Sequence, residues 1–183
     1  MKDECIHCEE AKLNVGDRSV YGAIVIYKKG NEKNGWYATL SPKTIDDVEK
    51  DFSVQLMPLS HIKHISDLSS DEDLAKNYGL AFSKLNKAIT ELMKEERRCL
   101  ENEEEIIRIG VYGKSKHPEE HFHIKLFPWK HSYVVDSTYE KSQVHVDKTG
   151  EKYIRLPPVR KRKLEEDRHQ NLAIRLIEIC NNS

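Results

Sequence analysis

What this chain of 183 residues lacks already excludes several classes of protein. It has no apolar run near the length needed to cross a bilayer, and its first residues, MKDECIHCEEAK, contain no apolar signal-peptide core. Lysine plus arginine number 30 and aspartate plus glutamate 31, so net charge does not favour binding to nucleic acid or an anionic membrane. Repeats and low-complexity linkers are absent too. We therefore expect a soluble, cytoplasmic protein with one globular domain and room for an appendage.

Cysteine is scarce, with four residues, and in a reducing compartment these should form no structural disulfide. Cys99 and Cys180 each end an apolar stripe, which indicates buried packing residues. Cys5 and Cys8, in the motif CIHC, have the spacing of half a zinc site that histidines elsewhere would complete. Redox chemistry is less favoured, because a redox C-x-x-C opens a helix after a strand and no strand is predicted before it here. Spacing leaves the histidine partners open among six candidates: His7, His61, His64, His117, His121 and His131.

The residue patterns predict an α+β fold with a mainly antiparallel sheet. β-Branched, aromatic and alternating segments indicate strands. Ser70 with Asp73 forms a capping box that opens a long helix, whose apolar stripe runs from Leu74 to Leu92. The predicted strands cover residues 19–29, 36–40, 52–58, 105–113, 121–128, 142–147 and 152–157, and a final helix covers residues 164–180.

The stretch EEHFHIKLFPW, residues 119–129, carries the clearest chemical signal. Alternation along a strand places His121, His123 and Lys125 on one face and apolar residues on the other. The apolar face can pack on helices, while the basic face must meet water, a metal or an anion, because unpaired buried charge is costly. A histidine-rich surface strand is the plain alternative. The loop before the strand, with Lys114 and Ser115, favours a phosphate site, because backbone N–H groups and cations suit phosphate oxygens.

Three motifs together resemble the histidine-triad (HIT) superfamily. HFHIKLFP matches its His-φ-His-φ-His-φ-φ signature, where φ is apolar, and CIHC and the Pro-x-x-His turn of SVQLMPLSHI stand in the family's order. The resemblance covers residues 5–130 and implies a HIT-like domain over residues 1–130 with a long central helix. Residues 131–183 would then form a C-terminal extension, with two short strands and a helix, packed on the same domain.

The resemblance also implies a chemistry. His123 would be the nucleophile that attacks the α-phosphorus of a nucleotide conjugate, and water or another acceptor would then take the nucleotide from the covalent nucleotidyl-histidine. Lys125 would lie at the leaving-group side. A closed, structural zinc site would have the ligands Cys5, Cys8, His61 and His121, and the phosphate-binding residues would be Lys114, Ser115 and Ser53.

Three positions depart from the family pattern. Lys125 replaces the third histidine, Ser53 stands where members often carry a histidine, and Thr39 stands near the place of a ribose-binding acid. Lysine stabilises phosphate charge but is a poorer proton donor near neutral pH. We therefore expect a nucleotidyl hydrolase or transferase acting on a nucleotide-phosphate conjugate. The alternatives are a degenerate nucleotide-binding module and an interaction protein fastened by zinc. A homodimer is expected, without nucleic acid or membrane as partner.

Overall fold

A computed structural model describes residues 5–44, 48–49, 51–96, 109–114, 121–128, 143–146, 150, 152–155 and 162–182. Three α-helices, nine strands and one 3-10 helix lie within these ranges. The helices are α1 (Ile6–Glu10), α2 (Glu72–Glu95) and α3 (Glu166–Asn182), and the 3-10 helix covers Ile65–Ser70. The strands are β1 (Ile24–Lys29), β2 (Trp36–Leu40), β3 (Lys43–Thr44), β4 (Val54–Pro58), β5 (Ile109–Lys114), β6 (His123–Pro128), β7 (Gln143–Val146), β8 (Lys152–Arg155) and β9 (Arg162–Lys163).

Five strands form the main sheet in the order β1-β2-β4-β6-β5, and every neighbouring pair is antiparallel. The remaining strands pair as β3 with β9 and β7 with β8, again antiparallel. The predicted class, α+β with a mainly antiparallel sheet, is therefore confirmed. Strand β6 lies between β4 and β5, so the histidine stretch runs through the sheet interior rather than along an edge.

One face of the sheet carries the apolar core, and the long helix α2 packs against it. Phe122, Ile124 and Leu126 are buried there, as the alternation predicts. Each large aliphatic side chain buried in this way contributes about 1.5–3 kcal/mol to the free energy of unfolding. The helix supplies a stripe at three- and four-residue spacing: Leu74, Ala81, Leu85, Ala88 and Leu92.

Helix α3 adds a second apolar stripe to the same core, with Leu172, Leu176, Ile179 and Cys180 buried. It packs on both α2 and β1. Cys180 is thus the buried packing residue that its position predicts, whereas Cys99 lies outside the described residues. No helix in the described part of the chain has the length and apolar character that a membrane crossing requires.

Several element boundaries differ from the predicted ones. Helix α2 is capped by Asp71, whose carboxylate accepts the N–H of Leu74 at 3.0 Å, rather than by Ser70. Strand β1 begins five residues late, because residues 19–22 form a tight turn closed by the Gly22 N–H donating to the Ser19 carbonyl at 2.8 Å. Strand β5 extends to Lys114, which was expected in a loop and instead pairs with the backbone of His123.

Candidate metal centre and histidine face

The short helix α1 carries the CIHC motif onto the face of the sheet opposite α2. Five residues do not form a stable helix alone, so contacts with the sheet must hold it. The Tyr37 hydroxyl donates to the carbonyl of His7 at 2.6 Å. The ammonium of Lys28 donates to the carbonyls of Ala11 and Leu13 at 2.7 and 3.0 Å. Side chains of β1 and β2 therefore position the cysteines.

Four potential metal ligands converge where α1 meets the sheet. Their ligand atoms all lie within 4.8 Å of one another. Cys8 Sγ is 3.3 Å from the His61 Nδ1, and His121 Nδ1 is 3.6 Å from each of the two sulfurs. A tetrahedral zinc ion would set sulfur–nitrogen separations of about 3.6 Å. The cluster of Cys5, Cys8, His61 and His121 is therefore close enough to bind a metal ion.

The tautomer of His121 suits metal binding. Its ring is buried, and its Nε2 lies 3.0 Å from the carbonyl oxygen of Pro58, at the end of β4. Because a carbonyl can only accept, Nε2 carries the hydrogen and the lone pair of Nδ1 faces the sulfurs. Metal-bound histidines commonly have their second nitrogen fixed in this way.

Burial sets the charge of the cluster. It lowers the pKa of His121 to about 4, an effect that the hydrogen bond to Pro58 opposes and the nearby imidazoles reinforce. The ring is therefore neutral at physiological pH. Burial and the neighbouring Cys5 raise the pKa of the Cys8 thiol to about 11 without a metal. Thiolates are needed to bind a metal ion, so loading the site would release protons.

The six histidines that spacing left as candidate metal ligands lie in different places. His61 and His121 join the cluster, and His117 and His131 lie outside the described residues. His64 is exposed and begins the 3-10 helix, where its N–H donates to the Asp67 carboxylate at 3.1 Å. His7 is not a member of the cluster, and its Nδ1 pairs with Glu10 at 2.9 Å.

His123 is buried beside this cluster and has the opposite tautomer from His121. Its Nδ1 lies 3.1 Å from the carbonyl oxygen of His121, so Nδ1 carries the hydrogen. Nε2 is therefore the ring nitrogen that this hydrogen bond does not use. The ring of His7 lies 5.4 Å from that of His123 and 5.8 Å from that of His121, measured between centroids.

The predicted phosphate-binding residues are not all near His123. Lys125 is half-buried on the same face, and the backbone of Lys114 pairs with His123. Val54 pairs with Leu126, so Ser53 lies opposite the far end of β6. That is four residues, or about 13 Å of strand, from His123. The structure does not bring Ser53 to the histidine, and Ser115 lies outside the described residues.

The sequence interpretation missed two features of this face. The Glu10 carboxylate, 4% exposed, holds the His7 ring; their spacing of three on a helix is the signal that could have indicated it. Thr39 is fully buried, and its hydroxyl has no hydrogen-bond partner in the described structure. By register Thr39 lies in one row with Gln55 and Lys125, so the face carries an unsatisfied polar group.

Comparison with known proteins gives no match among protein families, curated proteins or solved structures. Function is therefore inferred from the side chains gathered on this face, together with the sequence resemblance to the HIT superfamily. The metal cluster and the buried His123 beside it are the two features that such an inference must explain.

Proposed function

We propose that this protein is a HIT-like nucleotidyl hydrolase or transferase with a structural zinc ion. The observation that carries the proposal is the buried imidazole of His123, whose Nδ1 is held by the carbonyl of His121 beside a metal-ligand cluster. A buried neutral imidazole held in one tautomer is the arrangement that a nitrogen nucleophile requires. A nucleotide-phosphate conjugate is the proposed substrate.

Zinc is the metal that this donor set favours. Two thiolates and two imidazoles are typical of structural zinc, and the spacing of the ligand atoms fits its tetrahedral geometry. Four protein ligands leave no open position, so the ion would hold α1 on the sheet and would not activate substrate.

The proposed reaction has two steps. His123 Nε2 would form a bond to the α-phosphorus while the leaving group departs with its electron pair. An acceptor oxygen would then displace the nucleotide from His123. The Lys125 ammonium, next on the same face, would balance charge at the phosphate. On the neighbouring strand β5, the backbone of Lys114 pairs with His123.

A substrate panel tests the proposal. Zinc-loaded protein is incubated with dinucleoside polyphosphates, nucleoside phosphoramidates and nucleotide sugars, and nucleotide release is followed by chromatography. We expect release of a mononucleotide that is lost in His123→Ala. Equal release by His123→Ala would refute the assignment of the nucleophile. Lys125→Gln is the matched variant, which removes only the charge at the third triad position.

Lys125 also favours a second candidate, a nucleotide-binding module without turnover, because a lysine replaces the histidine of the signature. This candidate predicts that nucleotides raise the melting temperature while no product forms. Lys125→His would then be expected to create or increase turnover. A homodimer is proposed from the resemblance alone, and sedimentation velocity checks it.

A further inference from the structure

A histidine–glutamate pair lies beside His123 and has no part in the proposed metal site. Glu10 is 4% exposed, and its carboxylate accepts the Nδ1–H of His7 at 2.9 Å. A carboxylate is costly to bury, and within the described part of the chain the side-chain partner shown for Glu10 is His7. The His7 ring is tilted by 45° to that of His123 at a centroid distance of 5.4 Å.

The hydrogen bond to Glu10 determines which ring nitrogen of His7 can contact a ligand. Because Nδ1 donates to Glu10, Nε2 is the ring nitrogen that His7 can offer to a ligand. Within the described residues no hydrogen bond reaches this Nε2, and the His7 side chain keeps 19% of its surface exposed. His7 therefore has an available acceptor atom, reachable from solvent, next to the proposed nucleophile.

Contacts on both sides of His7 hold its backbone in place. Cys5 and Cys8 flank His7 on α1, and the carbonyl of His7 accepts the Tyr37 hydroxyl at 2.6 Å. The backbone at His7 is therefore held in place, and Glu10 sets the orientation of the His7 ring. Such a ring can hold a small ligand in one place, which is the property that a positioning group needs.

We propose that His7, oriented by Glu10, binds the acceptor that removes the nucleotide from His123. This inference rests on the proposed function and assigns the second step of that reaction. His7 Nε2 accepts a hydrogen bond from water or an acceptor hydroxyl and directs its oxygen toward phosphorus. The P–O bond forms and the P–N bond breaks, with its electron pair returning to His123 Nε2. The regenerated ring is neutral, and the proton of the acceptor is released to solvent.

Rapid quenching with a nucleoside 5′-phosphoramidate separates the two steps. His7→Phe keeps an aromatic ring but removes the hydrogen-bond acceptor. We expect leaving-group release in the first turnover to stay within about threefold of wild type, while breakdown of the nucleotidyl-enzyme slows by up to about a hundredfold. Nucleotide bound to His123 should then accumulate, as detected by mass spectrometry of quenched protein.

Variants of Glu10 give an independent test. Glu10→Gln keeps an oxygen that can accept the Nδ1–H and should break down the intermediate faster than Glu10→Leu, which should accumulate it as His7→Phe does. Zinc content and melting temperature are measured for each variant. If His7→Phe loses zinc, the breakdown rate of the intermediate in Glu10→Leu tests the role of His7 instead.

The outcomes separate this inference from the proposed function. A wild-type protein that forms no covalent intermediate on His123 overturns both. An intermediate that forms in wild type and breaks down equally fast in both His7→Phe and Glu10→Leu overturns the role of His7 alone. Equal slowing of both steps in zinc-loaded variants overturns it as well, since that indicates a general structural effect.

Discussion

Buried histidines lie in two regions of the described structure, and their surroundings differ. At the start of β6, His121 and His123 each use one ring nitrogen on a backbone carbonyl, while other histidines and two cysteines crowd around them. In α3, His169 is equally buried, and its Nε2 donates to the carbonyl of Leu40 at 3.2 Å. No metal-ligand group among the described residues includes His169. Burial alone therefore does not mark a site, whereas converging second nitrogens and sulfurs do.

The largest effect that we expect distinguishes His121, just before β6, from His123, its first residue. His121→Ala should lose the metal, since it removes a ligand, and with it the stabilisation that binding provides. That stabilisation is about 4 kcal/mol when free zinc exceeds its dissociation constant a thousandfold. For a chain of this size the melting temperature would fall by roughly 8–16 °C. Zinc content and thermal unfolding of the purified variant measure both changes.

His123→Ala is the matched control, two residues further along the chain. It should keep its zinc and lose turnover instead. Cys180→Ala, a thiol removed from the core, should also keep the metal despite some loss of stability. Metal retained by His121→Ala at wild-type affinity would contradict the ligand set.

A smaller effect is expected from Tyr37→Phe, which tests whether the sheet positions the metal cluster. The variant leaves the buried ring in place but removes the hydroxyl that donates to the His7 carbonyl at 2.6 Å. Loss of one such hydrogen bond costs about 1 kcal/mol. The Tyr37 hydrogen bond holds α1 at His7, between Cys5 and Cys8. We therefore expect Tyr37→Phe to bind zinc severalfold more weakly in a competition assay with a chelator. Tyr78→Phe, away from the cluster, is the control, and an equal loss there would argue against a positioning role.

Part of the histidine face could be predicted from the sequence, and part could not. Alternation predicts both faces of β6, because the period of a strand fixes which side chains share a side. Motif spacing could not choose His61 and His121 from six histidines, since the choice depends on where the Pro-x-x-His turn meets α1. The family resemblance supplied that choice. Ser53 illustrates the opposite limit, because only the register of β4 against β6 reveals that it lies far from His123.

His7 and Glu10 were missed for a different reason. A helix of five residues has no stripe long enough to be recognised, so its inward side chains cannot be read from periodicity. Likewise, Ser70 and Asp71 are both good capping residues one position apart. The backbone geometry, rather than composition, decides that Asp71 accepts the N–H of Leu74.

For His169 we expect a change in how the free energy of unfolding varies with pH, rather than a change in its value at neutral pH. Burial lowers the pKa of His169, with Arg18 and Lys163 acting in the same direction and the carbonyl of Leu40 and Glu166 opposing it. The folded state therefore binds the proton less readily than the unfolded chain, whose histidines titrate near about 6.5. Stability from this group is complete above that value and is lost progressively as pH falls below it toward the lower pKa of the folded state.

His169→Gln isolates this contribution, because its amide can still donate to Leu40 but does not titrate. Urea unfolding of metal-free wild type and variant between pH 8 and pH 5 measures the difference at each pH, in which the contribution of the other histidines cancels. We expect the variant to lose less stability on acidification than wild type. Parallel curves would mean that His169 titrates alike in both states and contributes nothing to the acid response. A steeper curve for wild type would show that a histidine buried for packing alone still responds to acid, which separates that response from function.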